Sequence, residues 1–170
     1  PTNQVSLTMT GGTLKQTAPG KYDAVPTNVG GTAEFTVSAR VEGRSQVMGK
    51  FSYRVRKLPD PTAYIPAGDA HFKGGKISKQ NLMAATGIGA AIDDGLLNIP
   101  FKVRGFETVF FDNMGNAVPE VSAGTDFSDR QKNMMRGLSR GKRFFITNIK
   151  AQGPDGIERT LNGALEVIVN

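Results

Sequence analysis

At 170 residues and 18.2 kDa the chain has room for one substantial core or two modest ones, and 21 Gly with 9 Pro and no repeat period favour a turn-rich β protein over a helical one. The absence of Cys excludes disulfides, thiolate metal sites and cysteine nucleophiles, and the single histidine excludes a two-histidine zinc site. No apolar run approaches the ~18 residues of a membrane-spanning helix, and the net charge of +6 is uneven, with 8 Lys+Arg against 3 Asp+Glu in residues 1–58 and 13 against 12 in 59–170.

Val5, Leu7 and Met9 alternate with Ser6, Thr8 and Thr10 before Gly11-Gly12, which predicts an opening strand that ends in a turn. Lys21–Val25 is a short second candidate. Ala33, Phe35, Val37, Ala39 and Val41 form the longest period-2 run in the chain, Glu42-Gly43-Arg44 reads as a turn, and a strand over Lys50–Lys57 pairs back antiparallel, burying Phe51, Tyr53 and Val55. Pro59 and Pro61 then remove two backbone donors and fix two φ angles, so neither helix nor sheet ladder continues through them. Residues 1–58 are therefore expected to form a separate β module with too few strands for a complete sandwich, its leading strands lying upstream.

Beyond the prolines, Tyr64–Gly75 has no period and reads as a loop. Ser78 is a good N-cap for a short helix over Lys79–Thr86, with Leu82 and Met83 inward and Gly87 as its stop. Leu96–Arg104 and Phe106–Phe111 read as strands, and Asp112–Asn116 supplies a reversal. Ser128-Asp-Arg-Gln131 has the capping-box spacing for a second helix, with Met134, Met135 and Leu138 as its apolar stripe and Gly141 as its stop. Arg143–Ala151 is a strand, Gly153-Pro-Asp-Gly156 a turn, and Ala164–Val169 a closing strand. Residues 59–170 are thus predicted as a β-rich (α+β) module with two short helices, and the whole chain as mainly β.

Chemistry-bearing patterns are sparse. His71 is the only imidazole and sits in the expected loop, Asp93-Asp94 read as turn and cap residues, and Gly87-Ile-Gly89 lacks the third glycine and preceding strand of a dinucleotide fingerprint. Lys73-Gly-Gly-Lys76 lacks the spacing of a phosphate loop, and Asp112–Asn116 lacks the bidentate acid of a calcium loop. No catalytic residue, metal ligand or cofactor is expected. Two basic clusters are the candidate partner contacts: Lys73, Lys76 and Lys79, and Arg136, Arg140, Lys142 and Arg143. The second lies beside Phe144-Phe145 and has the composition of a nucleic-acid platform, but a period-2 strand buries one of those rings, so a protein-facing patch fits equally well. An extracellular adhesin or carbohydrate-binding module is the rival reading; 0 Trp and 3 Tyr argue against its aromatic platforms.

Arg54-Val-Arg-Lys-Leu-Pro-Asp-Pro61, Gly74-Gly-Lys-Ile-Ser-Lys79, Arg140-Gly-Lys142, Ile149–Gly156 and Arg159-Thr-Leu161, in that order and spacing, resemble the C-terminal region of the GldM/PorM family of the gliding-motility and type IX secretion machinery. The resemblance implies an incomplete immunoglobulin-like domain over 1–58 and a terminal β-rich domain over 59–170. It also implies a periplasmic, dimeric arm without catalytic residues or a nucleic-acid partner. Such an arm is anchored by an N-terminal inner-membrane helix outside this chain that joins GldL/PorL, and it reaches a ring of GldK/PorK and GldN/PorN at the outer membrane. Pro59 and Pro61 would be the hinge of that arm.

Overall fold

The computed structural model describes residues 4–170, which divide into two compact units, one ending at Leu58 and the other running from Pro59 to Asn170. Among the described residues no helix is long and apolar enough to cross a membrane.

The first unit has five strands: β1 Val5–Thr10, β2 Gly12–Ala18, β3 Lys21–Pro26, β4 Thr32–Val41 and β5 Arg44–Arg54. β1, β4 and β5 form an antiparallel sheet in the order β1-β4-β5, and β2 and β3 a separate hairpin. Glu42 and Gly43, at φ 50 and 77, make the two-residue left-handed turn whose twist suits a tight hairpin, so the β4–β5 ladder begins at Val41 and Arg44. Consequently β5 starts earlier than the expected Lys50. β2 has no apolar alternation in Thr13–Thr17 to announce it beyond Leu14, and exists because it pairs with β3.

Register places Phe35 opposite both Met9 and Phe51, and Val37 opposite Leu7, so the apolar side chains of three strands share one face. That face is largely uncovered. Of the described hydrophobic side chains only Ala33 and Val55 are buried in this unit, while Phe51 and Tyr53, expected to be buried, are 52% and 60% exposed. Alternation decides which face a side chain takes, but covering it needs a second layer.

The second unit contains β6 Thr62–Ala67, β7 Ala70–Phe72, β8 Gly75–Ile77, α1 Lys79–Ala84, β9 Gly89–Asp93, β10 Asn98–Phe111, β11 Ala117–Ser122, α2 Asp129–Gly137, β12 Arg143–Gln152, β13 Glu158–Thr160 and β14 Leu165–Val169. The main path is β7-β6-β9-β10-β12-β14-β8, with β11 on β10 and β13 on β12; only β8 and β14 pair in parallel. β10 pairs with β9 over Asn98–Phe101 and with β11 over Phe106–Phe111, and β12 changes partner from β14 to β13 along its length. The two long strands therefore belong to two sub-sheets. They turn the corner where the register slips on either side of Gly105 and where Asn148 adopts φ 49, as bulged strands do when one sheet folds over on itself.

Side chains from both sub-sheets and both helices fill the interior: Phe110 stacks on Phe144 with centroids 4.7 Å apart, and Ile65, Leu82, Met135 and Val167 are likewise fully or almost fully buried. Each helix begins at its expected cap. Ser78 Oγ accepts from the Asn81 amide, while Ser128 and Gln131 bond reciprocally at 3.1 and 2.8 Å. The fully buried Gln131 also donates to the Glu120 carbonyl at 3.0 Å, which ties α2 to β11.

Several expectations change in this unit. The span 64–75 is not a loop: β6 and β7 form a hairpin, with Pro66 opposite His71, and β6 joins β9. The two strands expected on either side of Gly105 are one continuous β10. α1 ends at Ala84 with an extended Ala85 cap, and Gly87 instead bridges Asp126, where a Cβ would run into the Thr125 carbonyl. α2 ends at Gly137 with Leu138 as cap, leaving Gly141, at φ 86, to form the turn into β12.

Candidate interaction surfaces

The basic residues singled out in sequence occupy different environments. Lys79 directs its Nζ at the carbonyls of Met135, Arg136 and Leu138 at 2.6, 2.8 and 2.6 Å. Its three ammonium donors meet three acceptors at the end of α2, so it joins the Leu138 amide on the Met135 carbonyl, supplies a donor to the Arg136 and Leu138 carbonyls and neutralises the helix's negative pole. Lys73 lies 3.8 Å from Asp93 and borders a small pocket of about 230 Å³ with Thr62 and Asn162. Lys76 projects from β8 into solvent. The stretch between them owes its path to Gly74 and Gly75, at φ 116 and 101.

In the second cluster, Arg143 pairs with Glu166 at 2.7 Å and Arg136 donates to the Asn133 side chain at 2.6 Å. Among the described residues, Arg136, Arg140 and Lys142 have no carboxylate within 4.0 Å. Lys142 and Arg143 border a groove of about 630 Å³ between the β10–β11 turn and the loop from α2 to β12.

Pro59 and Pro61 both belong to the second unit, where Pro61 is buried. Arg159, on β13 and 8% exposed, donates to the Pro59 carbonyl at 2.9 Å and to Asp155 at 2.6 Å, lies 3.5 Å from Asp60 and covers the Phe101 ring at 5.5 Å. This contact leaves no local signal around Arg159, because 100 residues separate it from Pro59.

A further surface was missed. Phe110-Phe111 and Phe144-Phe145 lie on neighbouring strands of period 2, so each doublet sends one ring inward and one outward. The inner rings stack, and the outer pair, Phe111 and Phe145, meet edge to face at 6.1 Å. Val109, opposite Phe145, and Pro119, opposite Val109, extend this apolar outer face, on which Val121 is 70% exposed. The two Phe doublets were the available signal.

Groups with catalytic potential are dispersed. His71 is exposed and stacks on Tyr64 at 3.6 Å. Asp94 accepts from the amides of Leu97 and Leu96, and these bonds hold its carboxyl below the usual carboxylate range. Asp112 is lowered likewise, first by the Asn116 amide, then by the Asn116 side chain and, more weakly, by the Met114 amide. Both carboxylates organise their own turns. Among the described residues no three of His, Asp and Glu cluster as a metal site would require.

Residues 59–170 match the family model described as GldM C-terminal domain, and residues 1–56 match the one described as GldM third domain. A comparison with curated proteins gave no match.

Proposed function

Because the chain belongs to the GldM/PorM family of the gliding-motility and type IX secretion machinery, whose members are structural components of a motor, we propose that it acts as a periplasmic arm that transmits force between two assemblies. In this reading the family's N-terminal membrane helix couples the arm to the proton-driven GldL/PorL complex. The other end meets the GldK/PorK and GldN/PorN ring, and the arm works as a dimer. The observation that carries the reading is the succession of two family domains in chain order over nearly the whole sequence. It is supported by surfaces suited to protein contact: the basic groove rim and the outer apolar sheet face.

The contacts proposed for the ring are Lys73, Lys76, Arg136, Arg140, Lys142 and Arg143. Lys79 supports them from within by holding α2. Pro59 and Pro61 form a stiff connector, since fixed φ angles and the Arg159 clamp reduce the freedom a Gly-Ser tether would have. The test is co-purification of ring proteins with the Arg140→Glu/Lys142→Glu variant in the full-length protein. Reduced recovery is the expected result; unchanged recovery removes this cluster as a contact. Replacing Pro59 and Pro61 by Gly and Ser should leave both units folded and impair secretion, and normal secretion would count against the stiff connector.

A further inference from the structure

We infer that the groove between the β10–β11 turn and the α2–β12 loop receives an extended segment of a partner protein in which an acidic side chain lies next to a large apolar one. This rests on the reading of the chain as a protein-contacting arm, and adds to it the chemistry of one contact.

The groove, at about 630 Å³, is within the size range of sites that enclose a few side chains. Its lining is mixed: Phe111, Met134 and Leu138 supply apolar surface, Asn113, Asn133 and Ser139 polar groups, and Lys142 and Arg143 positive charge, with Arg140 in the same loop. The electrostatics favour an anion. Arg140 and Lys142 have no carboxylate within 4.0 Å among the described residues. The acid on the opposite wall, Asp112, bonds to Met114 and Asn116 of its own turn. The negative pole of α2, which would repel a carboxylate, is closed by the Lys79 ammonium.

Both walls are held before any partner arrives. Gly141 donates to the Val169 carbonyl at 2.7 Å and Val169 to that of Lys142 at 2.9 Å, fixing the loop on β14, and the Asp112 carboxylate fixes the turn opposite. A preformed groove loses little entropy on binding. Phe111, 43% exposed, joins it to the outer apolar face, and Met114, 86% exposed, stands at the tip of the turn. Apolar side chains beside two cations without a carboxylate partner among the described residues, Arg140 and Lys142, and a third, Arg143, already paired with Glu166, suit a mixed peptide better than a phosphate backbone, which needs charge repeated along a track.

The experiment is an NMR titration of the 15N-labelled 170-residue chain with a capped hexapeptide carrying two acidic residues on each side of a Leu-Phe pair. Saturable shift changes confined to residues 110–114 and 133–143 are expected, with binding about tenfold weaker in Arg140→Glu/Lys142→Glu. Met134→Gln should also weaken it, and peptides with Lys for the acids or Gly-Ser for Leu-Phe should bind less. The inference is overturned by the absence of a saturable change, by shifts spread over the basic first unit, or by equal binding to the charge-reversed variant. It is equally overturned by stronger binding of a thymidine decanucleotide, or by shifts of the same residues on dilution alone, which would assign the groove to a second copy. Ring-protein recovery tests the arm itself, so the two can fail separately.

Discussion

Arg159→Met is the most informative perturbation of the second unit. The guanidinium has a side chain only 6% exposed, bonds Pro59 and Asp155 and covers the Phe101 ring. Methionine keeps most of the volume and removes the charge. At least two charge-assisted hydrogen bonds are lost, each worth about 1.5–3 kcal/mol, and part is recovered because a buried cation no longer has to be desolvated. Asp155 and Asp60 retain 24% and 56% side-chain exposure, so water takes over their charges once the arginine is gone. The net loss is then about 2–3 kcal/mol, or about 10 °C in Tm for a unit of this size. Arg159→Lys keeps a charge that reaches fewer partners at once and should lose roughly half as much. Urea unfolding followed by circular dichroism gives the global term, and trypsin cleavage after Lys57 together with exchange of the Asp60 amide gives the local one. A clamp predicts faster cleavage and exchange under conditions where the second unit remains folded. Unchanged unfolding would refute the energetics, and lowered stability without faster local opening would make Arg159 a core residue with no hold on the connector.

Lys79→Met leaves the Met135, Arg136 and Leu138 carbonyls without their cation and should lower stability by about 2 kcal/mol, with faster hydrogen exchange along α2. Undiminished protection would contradict the capping role. Phe144→Ala should destabilise the second unit by about 3–5 kcal/mol and Phe145→Ala by under about 1 kcal/mol, because one ring is buried and the other lies on the outer face; equal losses in urea unfolding would contradict the assigned faces. Asp112 should titrate below 3.8 by carbon-detected NMR. Since folding lowers its pKa, its stabilising contribution is present above the unfolded value and is lost as pH falls through the folded one; Asp112→Asn should abolish that acid-side dependence of the turn.

How much was legible depended on range. The Ala33–Val41 strand was readable because every second residue carries the signal within the strand, and both helix starts were readable because a cap and its target lie three residues apart. Gly89–Asp93 was not, since Ala90, Ala91 and Ile92 are all buried and a strand covered on both faces has no alternation. β7, β8 and β13 are each three residues long and exist only through their neighbours. The candidate site divided in the same way: the basic cluster near Lys142 was visible as composition, but the groove needed the turn after β10 to stand opposite it.

The amino-acid order alone determined the mainly β character, the break at Pro59 and Pro61, the caps at Ser78 and Ser128 and the turn at Asp112–Asn116, because each is settled by φ preferences and hydrogen bonds within a few residues. Only the tertiary structure decided that Lys79 closes a helix 56–59 residues away, that Arg159 holds Pro59 across 100 residues, and that Phe51 and Tyr53 lie open while Phe110 and Phe144 are enclosed. A side chain's pattern selects its face. What then meets that face is set by segments far along the chain, whose approach leaves no local mark.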